Sequence, residues 1–142
     1  MSAEQNKATV RRWLELGWNS HDPSLADELL TSDYMLHEPG TPNFAGGIPA
    51  FKEFVSNLIT ALPDVKFTIE DIRAEGDKVV WRWTGRATHG GPLMGIPPTG
   101  KPVQVTGIII SRFTAAGKWA EDWVNWDTLG LLQQIGVIPT LA

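Results

Sequence analysis

Four stretches decide the fold: 65-VKFTIEDIRAE-75, 78-KVVWRWTGRATH-89, 103-VQVTGIIISRFT-114 and 118-KWAEDWVNWD-127. Along each of them apolar and polar side chains alternate with a period of two, as half-buried strands require. Glu75-Gly76-Asp77, a Gly/Pro-rich run at 90–102 and Ala115-Ala116-Gly117 separate them. Before Pro63 the period is 3.6. Residues 4–18 read as a helix with Val10, Trp13, Leu14 and Gly17 on one side. Asp22 caps a second short helix, with Pro23 at its first position and Leu25, Leu29 and Leu30 facing inward. Tyr34–His37 is extended, and Glu38 to Gly47 is a loop. A third helix over 48–61 buries Phe51, Phe54, Val55, Leu58 and Ile59, and Pro63 stops it. A last helix, 128–135, ends at Gly136. Helices followed by a run of long strands form an α+β pattern. The expectation is one domain over 1–142, with a curved antiparallel sheet wrapped around the N-terminal helices. Such a cone or half-barrel leaves a deep pocket between sheet and helices.

Composition narrows the function. The chain has 12 basic and 16 acidic residues and a net charge of -4, which argues against nucleic-acid binding. No apolar run approaches the length of a membrane helix, and the N-terminus does not read as a signal peptide. A cytoplasmic protein with no membrane partner is expected. There is no cysteine, so thiolate nucleophiles and Cys-based metal sites are absent. His21, His37 and His89 are far apart and form no spaced ligand pair, so no metal site is expected. No dinucleotide fingerprint occurs, and no organic cofactor is expected. Gly95-Ile96-Pro97-Pro98-Thr99-Gly100-Lys101-Pro102 half-matches a phosphate loop. Pro102 stands where a Mg²⁺-binding hydroxyl is needed and a strand follows instead of a helix, so no nucleotide binding is expected. The run reads as a rigid loop closing one end of the half-barrel.

Without a Gly-x-Ser-x-Gly elbow, acid–base chemistry by carboxylate and imidazole remains. A hairpin closed through Ala115–Gly117 places Ile110 near Asp122 and Ile108 near Val124. One sheet face then carries Asp122, Val124, Trp126, Ile108, Ile110, Arg82 and Arg86. The other carries Trp81, Trp83, Trp119 and Trp123. Periodicity leaves two arrangements open. In one, the charged face meets water and the Trp face is core. In the other, the charged face lines the pocket and the Trp face is a dimer interface. Asp122, mid-strand among apolar neighbours, has the setting that raises a carboxyl pKa. An ion pair of Asp122 with Arg82 or Arg112 is the structural alternative. His37 follows Tyr34-Met35-Leu36 and reads as either a satisfied buried imidazole or a proton carrier.

Several motifs carry a resemblance: Phe51-Lys52…Phe54-Val55, Leu62-Pro63-Asp64, Glu75-Gly76-Asp77-Lys78-Val79-Val80, Thr88-His89-Gly90-Gly91, Gly95-Ile96-Pro97-Pro98-Thr99-Gly100-Lys101 and Leu131-Leu132-Gln133-Gln134-Ile135-Gly136. In this order, over nearly the whole chain, they resemble the SnoaL-like polyketide cyclase family. That resemblance implies the cone-shaped α+β fold shared with nuclear transport factor two and ketosteroid isomerase, a deep apolar pocket, and a homodimer formed through the sheet. It supports the arrangement with the charged face inside. It also implies metal- and cofactor-free aldol cyclisation, with an Asp of the last strand and a pocket His as acid and base. Those two positions fall on Val124 and Ile110 here. The expected enzyme therefore acts on a hydrophobic small molecule with Asp122 as base, His37 as second acid/base or orienter, and Arg82 as oxyanion stabiliser. Ile108, Ile110, Val124, Trp126 and Arg86 would shape the substrate site. A water-activating hydrolase or dehydratase, or a non-catalytic carrier of hydrophobic ligands, are the alternatives.

Overall fold

Ser2 opens the first helix with a reciprocal cap: its hydroxyl accepts the Gln5 N–H at 3.1 Å, while its own N–H donates to Gln5 Oε1 at 2.8 Å. The computed structural model describes residues 2–141. Helix α1 (Ala3–Trp13) runs on into a wider π turn, Leu14–Trp18, so the helix expected over 4–18 changes pitch in its last turns. Gly17 is needed there, because a Cβ would stand 2.3 Å from the Trp13 ring. Asp22 caps a 3₁₀ turn, Pro23–Leu25, that leads into α2 (Ala26–Leu29). Strand β1 (Leu30–His37) begins directly after it, four residues earlier than the expected extended piece. Helix α3 spans Gly47–Ala61. Strands β2 (Lys66–Glu75), β3 (Lys78–Thr88), β4 (Pro102–Phe113) and β5 (Trp119–Trp126) follow, and α4 (Thr128–Gln134) ends the fold.

The sheet order is β1-β5-β4-β3-β2. Strands β2 to β5 form an antiparallel meander; β1 joins its edge parallel to β5, the one departure from an all-antiparallel sheet. The helices cover the inner face, giving the expected α+β half-barrel. The loop at 90–101 closes one end. The N–H groups of Gly90 and Gly91 both donate to Ala61 O at 3.0 Å. A Cβ on Gly91 would lie 2.2 Å from Thr60 O, so only glycine fits against the end of α3. His89, fully buried, has Nδ1 3.0 Å from Thr99 Oγ1 and fixes the loop from inside.

The β4–β5 register differs from the simple hairpin. Phe113 faces Trp119, as regular closure predicts, but Arg112 then faces Glu121. Ala120 is an extra residue, a bulge that slips the pairing by one. Ser111, not Ile110, therefore lies opposite Asp122, and Ile110 lies opposite Trp123. Because the side-chain period is two, a one-residue slip reverses the face of everything on the partner strands. Asp122, Val124 and Trp126 face inward as expected. Arg82, Arg86, Ile108 and Ile110 face outward, against expectation. The Trp-rich face of β3 is core: Trp81 and Trp83 are 3% and 8% exposed, and Trp119 is 2% exposed. These three rings are not a dimer surface. Only Trp123, of the four expected there, lies on the outer side, where it stacks on His37 at 5.4 Å between centroids. Among the described residues, no helix is long and apolar enough to cross a membrane.

Candidate active site

The inner sheet face and the helices enclose a cavity of about 190 Å³. Helical side chains Trp18, Phe54 and Leu58 form one wall. Trp81, Trp83, Val105, Val124 and Trp126 form the sheet side, and Leu93 and Met94 of the closing loop cover one end. The expected pocket residues Val124 and Trp126 thus line it.

Among the described residues, one carboxylate reaches this apolar space, and it is Glu38. Along β1, Tyr34 and Leu36 are buried while Met35 and His37 are exposed. The same alternation carries Glu38 inward, where it is 7% exposed. A tight turn follows, closed by Thr41 N–H to Glu38 O at 2.9 Å. Oε1 accepts the N–H of Trp126 at 2.9 Å and the backbone N–H of Gly40 at 2.9 Å; Oε2 accepts only the Thr41 hydroxyl, at 2.8 Å. Oε2 therefore keeps a lone pair for another partner. Sequence reasoning passed over Glu38 in favour of its neighbour His37. Its parity with Tyr34 and Leu36 was the available signal, blurred because Met35 is apolar too. A more open outer groove of about 380 Å³, bounded by Met35, His37 and Phe44, shares Glu38, Thr41 and Val124 with the cavity.

Asp122 is 4% exposed but does not line the cavity. Its Oδ1 accepts the Ser111 hydroxyl at 2.5 Å and the Trp119 N–H at 2.9 Å, and its Oδ2 accepts the Tyr34 hydroxyl at 2.5 Å. Burial pushes its pKa up from 3.8 to about 6, and the three hydrogen bonds, with Ser111 foremost, pull against that. Burial and the neighbouring Asp122 carboxylate hold the Tyr34 hydroxyl well above its ordinary pKa, so Tyr34 serves as a donor. Ser111 also accepts the Trp81 N–H at 3.0 Å, which ties this network to the cavity wall. The ion pair considered between Asp122 and Arg82 or Arg112 is not formed; Arg112 pairs with Glu121 at 3.0 Å.

The structure does not bring Asp122, His37 and Arg82 together. His37 lies on the outer face, with Nε2 2.6 Å from Glu121 Oε2. Arg82 and Arg86 are exposed on that same face, and Ile108 and Ile110 are 51% and 37% exposed there. Alternation fixes this: Trp81, Trp83 and Ser111 point inward, so their neighbours in sequence point out. The pocket-histidine position that the resemblance put on Ile110 is therefore no pocket position; Ile109 has the inward parity. Among the described residues, no group of three or more His, Asp or Glu is placed to hold a metal ion.

A curved sheet folded over helices around an apolar cavity, with one carboxylate in its wall, defines an α+β cone protein. The chain belongs to the SnoaL-like polyketide cyclase family, whose family model matches residues 8–135. No match was found among curated proteins. Solved structures extend the likeness over the whole fold. TsrD from Streptomyces laurentii is 28% identical with a TM-score of 0.86, covering 97% of this chain and 99% of that one. IdmH from Streptomyces antibioticus, a proposed polyketide cyclase, is 31% identical with a TM-score of 0.80, covering 94% and 99%. AclR from Streptomyces galilaeus, a proposed hydroxylase, is 27% identical with a TM-score of 0.86, covering 99% and 87%. The last two are described with different proposed reactions on one fold, so the reaction here has to be argued from the site.

Proposed function

We propose that the protein is a cofactor-independent enzyme that moves a proton beside a carbonyl group of a hydrophobic small molecule, with Glu38 as the base. One observation carries this reading: Glu38, whose Oε2 has a free lone pair, is the carboxylate in the wall of a largely apolar cavity. The carboxylate takes a proton from the carbon next to the carbonyl, and the C–H electron pair moves onto the carbonyl oxygen as an enolate. Return of the proton to another carbon gives isomerisation. Attack of the enolate carbon on a second carbonyl, whose oxygen then takes the proton from Glu38, gives aldol cyclisation. Membership of the cyclase family supports this class of chemistry. Glu38 takes the role expected of Asp122, because it contacts the cavity and Asp122 does not.

The test needs no knowledge of the natural substrate. α-Tetralone, a bicyclic ketone, is incubated with the protein in D₂O and deuterium uptake at the α-carbon is followed by NMR. General-base catalysis contributes about 10²–10⁴-fold, and Glu38→Gln is expected to lose it while still binding the ketone. Equal uptake in both proteins removes Glu38 as base. A carrier of hydrophobic ligands is the second reading, favoured by Val124 standing where the resemblance implies the family acid/base Asp. Binding of the ketone with no uptake by the native protein decides for the carrier.

We also propose a homodimer through the outer sheet face. Its support is the exposed apolar row Val80, Ile108 and Ile110, which is 42%, 51% and 37% accessible.

A further inference from the structure

Among the described residues that line the cavity, Gly40 and Met94 are the two exposed ones; the rest are buried or half-buried. Gly40 follows the end of β1, and Met94 lies in the loop between β3 and β4. β1 runs parallel to β5, and β5 runs antiparallel to β4, so both residues stand at the same end of the sheet. The cavity therefore meets solvent at these two residues. The Gly40 side is bare backbone, because a Cβ there would stand 3.1 Å from both carboxylate oxygens of Glu38. On the Met94 side a long apolar chain, 52% exposed, stands over the opening.

Met94 holds that place at a conformational cost. Leu93 N–H donates to Ile96 O at 3.0 Å and Ile96 N–H donates to Leu93 O at 2.8 Å, which closes a two-residue turn over Met94-Gly95. Both central residues are left-handed, with φ 50° at Met94 and 76° at Gly95. Turns of this kind favour Asn, Asp or Gly at both positions, and a methionine there is strained where glycine would not be. Strain of this sort at the edge of a cavity points to a use for the side chain. The turn is also firmly mounted. Leu93, 6% exposed, roots it in the cavity wall. Below it His89 N–H donates to Lys101 O and Gly100 N–H to His89 O, both at 2.9 Å. A methionine, unbranched and with rotatable bonds along its length, can swing on this mount while the backbone stays in place.

We infer that Met94 is the gate of the cavity, a specificity-determining residue that admits apolar ketones according to their width. This rests on the cavity being the ligand site. Because the Glu38 turn forms the other side of the opening, a ligand passes Met94 and the carboxylate together as it enters. A gate slows entry and exit alike, so it acts on rates more than on affinity.

The test uses α-tetralone and the wider 4,4-dimethyl-1-tetralone with the native protein, Met94→Gly and Met94→Asn. Glycine and asparagine adopt the left-handed conformation more readily than methionine, so both variants keep the turn while removing the long side chain. Association and dissociation rates are followed by stopped-flow through the fluorescence of the cavity tryptophans. The native protein is expected to admit α-tetralone about tenfold faster than the dimethyl ketone, and both variants to lose most of that ratio. In the variants entry and exit of the wider ketone are expected to quicken together, with Kd changing far less than either rate. An equal ratio in native protein and variants overturns the inference, as does a change in Kd with entry rates unaltered. A dimethyl ketone that enters none of the three proteins places the restriction inside the cavity and also overturns it. These outcomes leave Glu38 and its deuterium-exchange test untouched. Failure of both ketones to bind overturns this inference and the cavity reading together.

Discussion

Trp126 donates its indole N–H to Glu38 Oε1 at 2.9 Å, joining the end of β5 to the turn that follows β1. β1 and β5 run parallel side by side, so the two residues leave the sheet at the same end. Trp126 also forms part of the cavity wall. This hydrogen bond, together with those from Gly40 N–H and the Thr41 hydroxyl, aims the carboxylate.

Trp126→Phe keeps most of the ring and removes that donor. A hydrogen bond to a charged group contributes about 2 kcal/mol, and the variant is expected to lose stability of that order in urea denaturation. Gly40 N–H, which donates to the same oxygen, is expected to exchange with solvent faster as the turn loosens. Unchanged exchange at Gly40 would show that the turn holds without Trp126.

Asp122 predicts a pH effect with a definite sign. Burial raises its pKa from 3.8 to about 6, so between those values the native state keeps a proton that the unfolded chain has released. Its stabilising contribution is complete below about pH 4 and is lost as pH rises through about 6. A change of that size corresponds to on the order of 3 kcal/mol. Asp122→Asn mimics the neutral carboxyl and cannot titrate. The stability of the native protein relative to Asp122→Asn is expected to fall by that order between pH 4 and pH 7. The other carboxylates cancel in the comparison. A pH-independent difference would mean that Asp122 is ionised throughout.

Ile108→Lys places a charge in the exposed apolar row of the outer face, outside the cavity lining. Light scattering is expected to give twice the 15.6 kDa chain mass for the native protein and the single mass for the variant, with ketone binding retained. A native protein that stays monomeric at micromolar concentration ends the dimer proposal.

The sequence by itself determined the order of elements, because local periodicity, caps and breakers are written in neighbouring residues. The alternation along β3 to β5, Pro63 ending α3 and Asp22 starting the second short helix all read correctly. Motifs spread over the chain sufficed for the family. Only the tertiary structure decided which face of the sheet is inside. Ala120, one extra residue beside the last hairpin, moved Ser111 opposite Asp122 and turned Arg82, Arg86, Ile108 and Ile110 to the outside. A bulge leaves no mark in the periodicity of the partner strand, yet it reverses the faces there, because a strand has only two. Glu38 shows the same limit. Its inward parity was present in Tyr34 and Leu36, but its contact with the cavity depends on Trp126, 88 residues away in sequence, and a distance along the chain carries no information about a distance across a sheet.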